Sequence, residues 1–377
     1  MRGIALAVAL VVLAGCASAG PTSVAGVARE LRERGVDPAS VVVPFELTDE
    51  MRTWVHARVP DSGTAEQRLE QLLNSIVNSA GLGLAYDGSH TNTAREAFET
   101  HKANCLGFTS LFVGMARELG IPAFYLAVDD VERFERDGDL LVVSGHVSAG
   151  FGMGGGKIKI LEFTSAPHAE YRHIHQLSDL TAIALHHSNH GAELLRAGRK
   201  EESLPWLRKA VAVDPELSDG WVDLGVSLRR AGELDKAEVA YRRALEVNPQ
   251  ASSAYQNLAA LLRLRGHPQE ADELMALASR AGSQTPFSYL ALGDVSLANG
   301  RVEEARRFYR RAMWLKRDDP EPYAALGLAA LAAGDRDEAR KWLRKAAARD
   351  KANERVRRLE TRLAETAEPQ MTKTLGG

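Results

Sequence analysis

A cysteine, a histidine and a glutamate carry the reactive chemistry this sequence offers. Cys105 lies in "ANCLGFTS", residues 103–110, and is one of only two cysteines in 377 residues. Asn104 is a preferred helix N-cap, which makes Cys105 the first residue of a helix. There the helix dipole and unpaired N–H groups favour an anion, and the thiolate is the nucleophilic form of cysteine. Such a nucleophile needs a histidine beside it, and the histidine an orienting acid. His146, in "SGHVSAG", falls on an expected strand whose one face carries Leu140, Val142, Ser144, His146 and Ser148. The next expected strand begins at Lys157, after "GMGGG". A turn centred on Gly154 then sets His146 opposite Glu162. Facing side chains in an antiparallel pair have Cβ atoms about 4.5–5.5 Å apart, within carboxylate–imidazole reach. A slip of one residue would send Glu162 to the other face.

The elements that must hold these residues are legible between residues 36 and 183. "TAEQRLEQLLNSIVNSA" reads as an amphipathic helix, with Leu69, Leu72, Leu73, Ile76 and Val77 on one stripe. "TAREAFETHKA" opens with Thr93 and Glu96 at capping-box spacing. "CLGFTSLFVGMAREL" follows, with Leu111, Phe112, Met115 and Leu119 on one face and Gly120 as its stop. "AFYLAV", "LLVVSGHVSAGF" and "KIKILEFTS" read as strands. Helices followed by an antiparallel sheet predict an α+β domain.

A helix-initial Cys, then a strand His, then an acid on the adjacent strand resembles the transglutaminase-like superfamily with its papain-like active site. The resemblance spans roughly residues 91–165 and includes "NCLGFTSLFVGMARELGIPAFYLAV". It implies Cys105 as nucleophile, His146 as general base and acid, and Glu162 as the orienting carboxylate. Glu162 departs from the Asp most often found there. The implied mechanism is attack of the thiolate on a carboxamide or peptide carbonyl, with the oxyanion held partly by the Cys105 backbone N–H. His146 protonates the leaving amine, and water or an amine resolves the thioester. Hydrolase and amide cross-linker both remain open on these residues, and so does a catalytically inactive fold that serves as a binding scaffold.

From Ala184 onward a period of 34 residues runs through five windows, starting at 184, 218, 252, 286 and 320. Position 8 reads Gly191, Gly225, Ala259, Gly293, Gly327, and position 27 is alanine in all five. Position 20 reads Ser203, Ala237, Ala271, Ala305, Ala339. Position 4 is aromatic in four windows: Trp221, Tyr255, Tyr289 and Tyr323. Period and residue types resemble the tetratricopeptide repeat, an all-α superhelix of helix pairs. Small residues at 8, 20 and 27 would let the helices of a pair approach, and large ones at 4, 7 and 24 would fill the space between pairs. Such a stack implies a concave surface for a protein or peptide partner. "NERVRRLETRLAE" reads as its closing helix.

The first segment has Arg2, an apolar run and "LAGC" ending at Cys16. It resembles the lipobox of bacterial lipoproteins, which implies cleavage before Cys16, a lipid on Cys16, and anchorage in the cell envelope. Ala17 in place of Asp resembles the outer-membrane sorting pattern. The expected organisation is a signal peptide at 1–15, a lipidated tether at 16–35, the transglutaminase-like domain at 36–183, repeats at 184–353, and a closing helix and tail at 354–377.

A net charge of −3 gives no basic footprint for nucleic acid. His168, His173, His175, His186, His187 and His190 cluster in sequence, and His186 with His190 has zinc spacing. No HExxH glutamate accompanies them, and His187 and His190 occupy repeat core positions, so no metal and no cofactor is expected. "GFGMGGGK" lacks the glycine and Ser/Thr of a phosphate loop and reads as a hairpin turn.

Overall fold

The structure is a computed structural model that describes residues 8–12, 24–137, 140–154, 157–161, 174–280, 286–298 and 300–365. The chain divides into two compact units, one of Met1–Glu135 with Val142–Val247, the other of Arg136–Leu141 with Asn248–Gly377.

In the first unit α1 (Val24–Glu33), α2 (Asp49–Arg58) and α3 (Ala65–Val77) precede a short parallel pair, β2 (Ala85–Tyr86) with β3 (Lys102–Ala103). Between those strands lies α4 (Ala94–Thr100), and after them α5 (Cys105–Glu118). A sheet follows from β4 (Ala123–Asp137), β5 (Leu140–Gly154), β6 (Lys157–Leu161) and β7 (Ile174–Leu177). With β1 (Val8–Val12) its order is β1-β6-β5-β4-β7.

The capping box read at Thr93 and Glu96 is present, and Thr64 with Gln67 forms a second one, not read from the sequence. α5 ends where Gly120 takes φ 75°, its N–H bonding the Arg117 carbonyl while Ile121 bonds that of Ala116. α5 is apolar on every side because every side is covered: Leu106 to Ala116 are all buried. Leu69, Leu72, Leu73 and Ile76 of α3 pack in the same core, with Tyr125 of β4 and Val147 and Ala149 of β5. Each such leucine or phenylalanine contributes about 1.5–3 kcal/mol when fully buried.

Two expectations need correction. The tether at 16–35 contains α1, whose Val27 and Leu31 are buried in the main core. The spacing of Val24, Val27 and Leu31 gives this segment a helical apolar stripe despite its small and charged residues. Val8–Val12, inside the segment read as a signal peptide, pairs antiparallel with β6, Val8 opposite Leu161. A valine-rich run has the strand propensity to cover an open sheet edge. The hairpin register also differs. A turn centred on Gly154 would set Ala149 against Lys159, but Ala149 faces Leu161 and Gly150 faces Ile160. The observed pairing lies two residues from that register, and a bulge between Gly152 and Gly154 shifts the ladder by one.

The helix pairs begin within the first unit. α6 (Asp179–Arg196) with α7 (Lys200–Val213) and α8 (Ser218–Arg230) with α9 (Leu234–Val247) belong to it. The second unit holds α10 (Ser252–Leu264), α11 (Pro268–Arg280), α12 (Pro286–Ala298), α13 (Val302–Leu315), α14 (Pro320–Ala332), α15 (Arg336–Ala347) and α16 (Glu354–Glu365). α8, α10, α12 and α14 start at the expected window boundaries. α6 starts five residues before its own, at Asp179.

The repeated spacing has a packing cause, and it corrects the expected use of position 24. A Cβ on Gly225 would lie 2.4 Å from the Tyr241 ring, and one on Gly293 2.3 Å from the Tyr309 ring. Position 24 therefore packs over position 8 inside its own pair, not between pairs. In the fifth pair Leu359 of α16 takes that place against Gly327. The aromatic at position 4 has a polar task as well. Trp221 Nε1 donates to the Pro215 carbonyl and the Tyr323 hydroxyl to that of Arg317, each at position 32 of the preceding window. Among the described residues no helix is long and apolar enough to cross a membrane.

Candidate active site

Cys105 is the first residue of α5, and Asn104 caps that helix by accepting the Gly107 N–H at 2.8 Å. Asn104 is itself buried and held, since its Nδ2 donates to Thr91 Oγ1 at 2.8 Å. Gly107 permits this arrangement, because a Cβ there would lie 2.9 Å from the Asn92 carbonyl oxygen. The chain reaches the cap through His101, whose left-handed φ of 56° is the only positive value among described non-glycine residues.

His146 comes from β5, and Thr109 Oγ1 of α5 donates to the Val147 carbonyl at 3.3 Å, tying helix to strand beside it. The Cys105 thiol and the His146 imidazole are hydrogen-bonded. Both side chains are partly exposed, so the pair is reachable from solvent. Burial pushes the Cys105 thiol up. The His146 hydrogen bond and charge, with the backbone of Val147 and Leu106, outweigh it and hold the thiol below its ordinary value. His146 Nε2 also lies 3.2 Å from the Ser148 hydroxyl, two residues along the same face of β5. The pair opens onto a cavity of about 200 Å³, walled by β4, β5, β7, α6 and the start of α8. Glu162 lies outside the described residues, and the pairing used to set it opposite His146 is not the one the described ladder adopts.

A family model of the transglutaminase-like superfamily matches residues 50–153, a stretch that takes in Cys105 and His146. Models of the tetratricopeptide repeat match residues 218–250, 240–273 and 296–363. The chain carries a transglutaminase-like domain followed by tetratricopeptide repeats. No curated protein matches it. Solved structures with similarity include PilF of Pseudomonas aeruginosa, 24% identical, covering 49% of this chain and 84% of that one, TM-score 0.42. A thermophilic TPR protein of Thermus thermophilus is 20% identical over 49% of this chain and 98% of its own, TM-score 0.41. PilW, a type IV pilus biogenesis factor, is 18% identical over 49% and 86%, TM-score 0.43.

The first repeats share the cavity with the transglutaminase-like domain, which the sequence did not reveal. Ser188 and Asn189 of α6 and Asp219 and Asp223 of α8 line it with Cys105 and His146. The Ser188 hydroxyl donates to Asp223 at 2.7 Å. Burial raises the Asp223 carboxyl to about 7, against the pull of that hydrogen bond. The only available signal was an aspartate at positions 2 and 6 of the second window, which reads equally as a solvated helix face.

Of the six clustered histidines, His168 and His173 lie outside the described residues, and His175 of β7 lines the cavity. His186 and His187 are buried, and burial lowers them to about 3 and about 4, so both stay neutral. His187, at position 4 of the first window, donates from Nδ1 to the Ile183 carbonyl at 2.9 Å and accepts the Val42 N–H on Nε2 at 3.3 Å. His190 is not paired with His186 in a ligand set. Among the described residues, the set with ligand atoms all within 4.8 Å of one another is His90, His190 and Glu193.

Proposed function

We propose that this chain is a thiol acyl-transfer enzyme of the cell envelope, a transglutaminase-like peptidase, amidase or amide cross-linker. The observation that carries the reading is the hydrogen bond between the helix-initial Cys105 and His146 at the mouth of a cavity. The thiolate attacks the carbonyl carbon of a carboxamide or peptide bond. The C–O π electrons move to oxygen, which the Cys105 backbone N–H at the start of α5 is placed to meet. Collapse expels the amine, which takes its proton from His146, and leaves a thioester on Cys105. Water then yields a carboxylic acid, or an amine yields a new amide, and His146 accepts the proton of either nucleophile. The orienting role falls to Glu162, with the Ser148 hydroxyl a second partner for the imidazole.

The repeats recruit the acyl substrate or its protein carrier through their concave face. A lipid on Cys16 holds the enzyme at the membrane, an outer-membrane position following from Ala17. Cys16→Ser should move the protein from the membrane to the soluble fraction; unchanged membrane association would remove the tether from this reading. A screen of peptide and peptidoglycan-derived amides with wild-type and Cys105→Ala protein tests the enzyme itself. Turnover, or a mass shift at Cys105 from a trapped acyl group, is expected only with the thiol present. Equal results for both proteins would leave the fold as an inactive scaffold.

A further inference from the structure

A cluster apart from Cys105 and His146 has the composition of a metal site. His90 precedes α4, while His190 and Glu193 stand three residues apart on α6, which places them on neighbouring positions of one helix face. His90 Nδ1 lies 2.8 Å from Glu193 Oε2, and the His90 and His190 rings are 5.8 Å apart. Two imidazoles and a carboxylate, each able to offer an atom within 4.8 Å of the others, are the ligand set of an open zinc centre. We propose that His90, His190 and Glu193 bind one divalent transition-metal ion of the zinc type, leaving a coordination position for water.

Two features beyond the three side chains point the same way. The first is the orientation of the carboxylate. Glu193 Oε1 accepts from Thr91 Oγ1 at 2.7 Å, and Thr91 is held in turn by Asn104 Nδ2 at 2.8 Å. Thr91 is 1% exposed, so this support is built into the core. Ligand carboxylates and imidazoles in metal sites are oriented in this way by groups behind them. The second is His186, one helical turn before His190 and 3% exposed, whose Nδ1 has no hydrogen-bond partner. A buried polar nitrogen without a partner is costly, and this one belongs to the residue one turn before His190 on α6. The Trp206 ring, 4.1 Å from that of His190, closes the other side of the imidazole. A cation bound through His90 Nδ1 takes the place of the hydrogen in the His90–Glu193 hydrogen bond, and the neutral imidazole carries its one proton on Nε2.

The site differs from the one first suggested by the sequence. His186 and His190 have the familiar i, i+4 spacing, but the structure groups His190 with Glu193 and with His90, a hundred residues away. The relay through Thr91 to Asn104 also reaches the cap of the helix that presents Cys105.

Zinc can bind a thiol–imidazole pair, so the test uses the full-length Cys105→Ala protein, which removes that competing site and does not depend on the acyl-transfer reading. Titration with zinc alone should give one ion per chain, and cobalt should give the visible absorption of a tetrahedral centre. His190→Ala or Glu193→Gln in the same background should weaken zinc at least 100-fold. Thr91→Val should weaken it about 10–100-fold, as loss of an orienting partner does. His90 is substantially exposed, so His90→Gln serves as the ligand variant least able to disturb folding, with circular dichroism as the check. Absence of stoichiometric zinc in Cys105→Ala, or unchanged affinity in a folded His90→Gln, overturns the site.

Discussion

At Cys105 two opposed influences act on one proton. Burial favours the neutral thiol, while His146 and two backbone groups favour the thiolate, and the second set prevails. Asp223, in the wall of the same cavity, shows the opposite balance. Burial holds it up to about 7, with the charge of Asp219 adding and Ser188 and Arg196 subtracting. The sign of its effect on stability follows. The folded protein keeps a proton on Asp223 that the unfolded chain loses near an ordinary carboxylate value, so the favourable contribution is full below about pH 4. It is lost as pH rises through 7. Asp223→Asn cannot titrate. Urea unfolding at pH 4.5, 6 and 8 should show wild type losing stability relative to Asp223→Asn across that range, and parallel curves would contradict the assignment. Cys105 and its cap could be read locally, because Asn104 acts three residues ahead of itself on Gly107. Asp223 could not be, because its partner Ser188 is 35 residues away and only helix packing joins them.

Among the elements, α5 is the one that positions the chemistry, and Arg117 near its C-terminus locks it in place. Its guanidinium bonds both carboxylate oxygens of Asp179 at 2.9 and 2.8 Å and the Ala123 carbonyl at 2.9 Å. One side chain thus joins α5, the start of β4 and the first turn of α6. Asp179 is nearly buried, so Arg117→Ala leaves a charge without its partner, a change that costs about 3–5 kcal/mol. The N-terminal dipole of α6 offsets part of this, which sets the expectation near 3 kcal/mol. Chemical denaturation measures it, and a loss below about 1 kcal/mol would show the pair to be incidental. Elements with strong periodicity or capping chemistry, such as α3, α4 and α5, were legible from residues alone. α1 was not, since its stripe of Val24, Val27 and Leu31 sits among residues that read as a flexible lead-in. Neither was the strand register, because the run of glycines fixes neither the closing pair, Gly154 with Lys157, nor the bulge between Gly152 and Gly154.

For the whole molecule, the 34-residue period was the clearest signal, because Gly225 beneath Tyr241 and Gly293 beneath Tyr309 admit no larger residue without displacement of the ring. Which unit each helix pair joins was not legible, as α6 to α9 share a compact unit with the transglutaminase-like domain. That division makes a prediction. In the second unit Arg355 of α16 bonds both oxygens of Asp294 on α12, at 2.6 and 2.8 Å, and Glu321 on α14 at 2.8 Å. It is 11% exposed, and the two acids hold its guanidinium protonated. Arg355→Ala should destabilise the second unit by about 3 kcal/mol, leaving two carboxylates facing each other. The reactivity of Cys105 in the first unit should not change. A matched fall in both, followed by thermal unfolding and thiol labelling on the same samples, would contradict two separately stable units.

The pH dependence of Cys105 alkylation tests the central claim most directly. In the wild type, iodoacetamide should label Cys105 at a rate that persists below the pH at which an ordinary thiol falls silent. His146→Ala removes the hydrogen bond and the charge but leaves the burial, so its profile should move to higher pH and its rate at pH 7 should fall at least tenfold. Coincident profiles for wild type and His146→Ala, both at the position of an unperturbed thiol, would contradict a Cys105–His146 nucleophile.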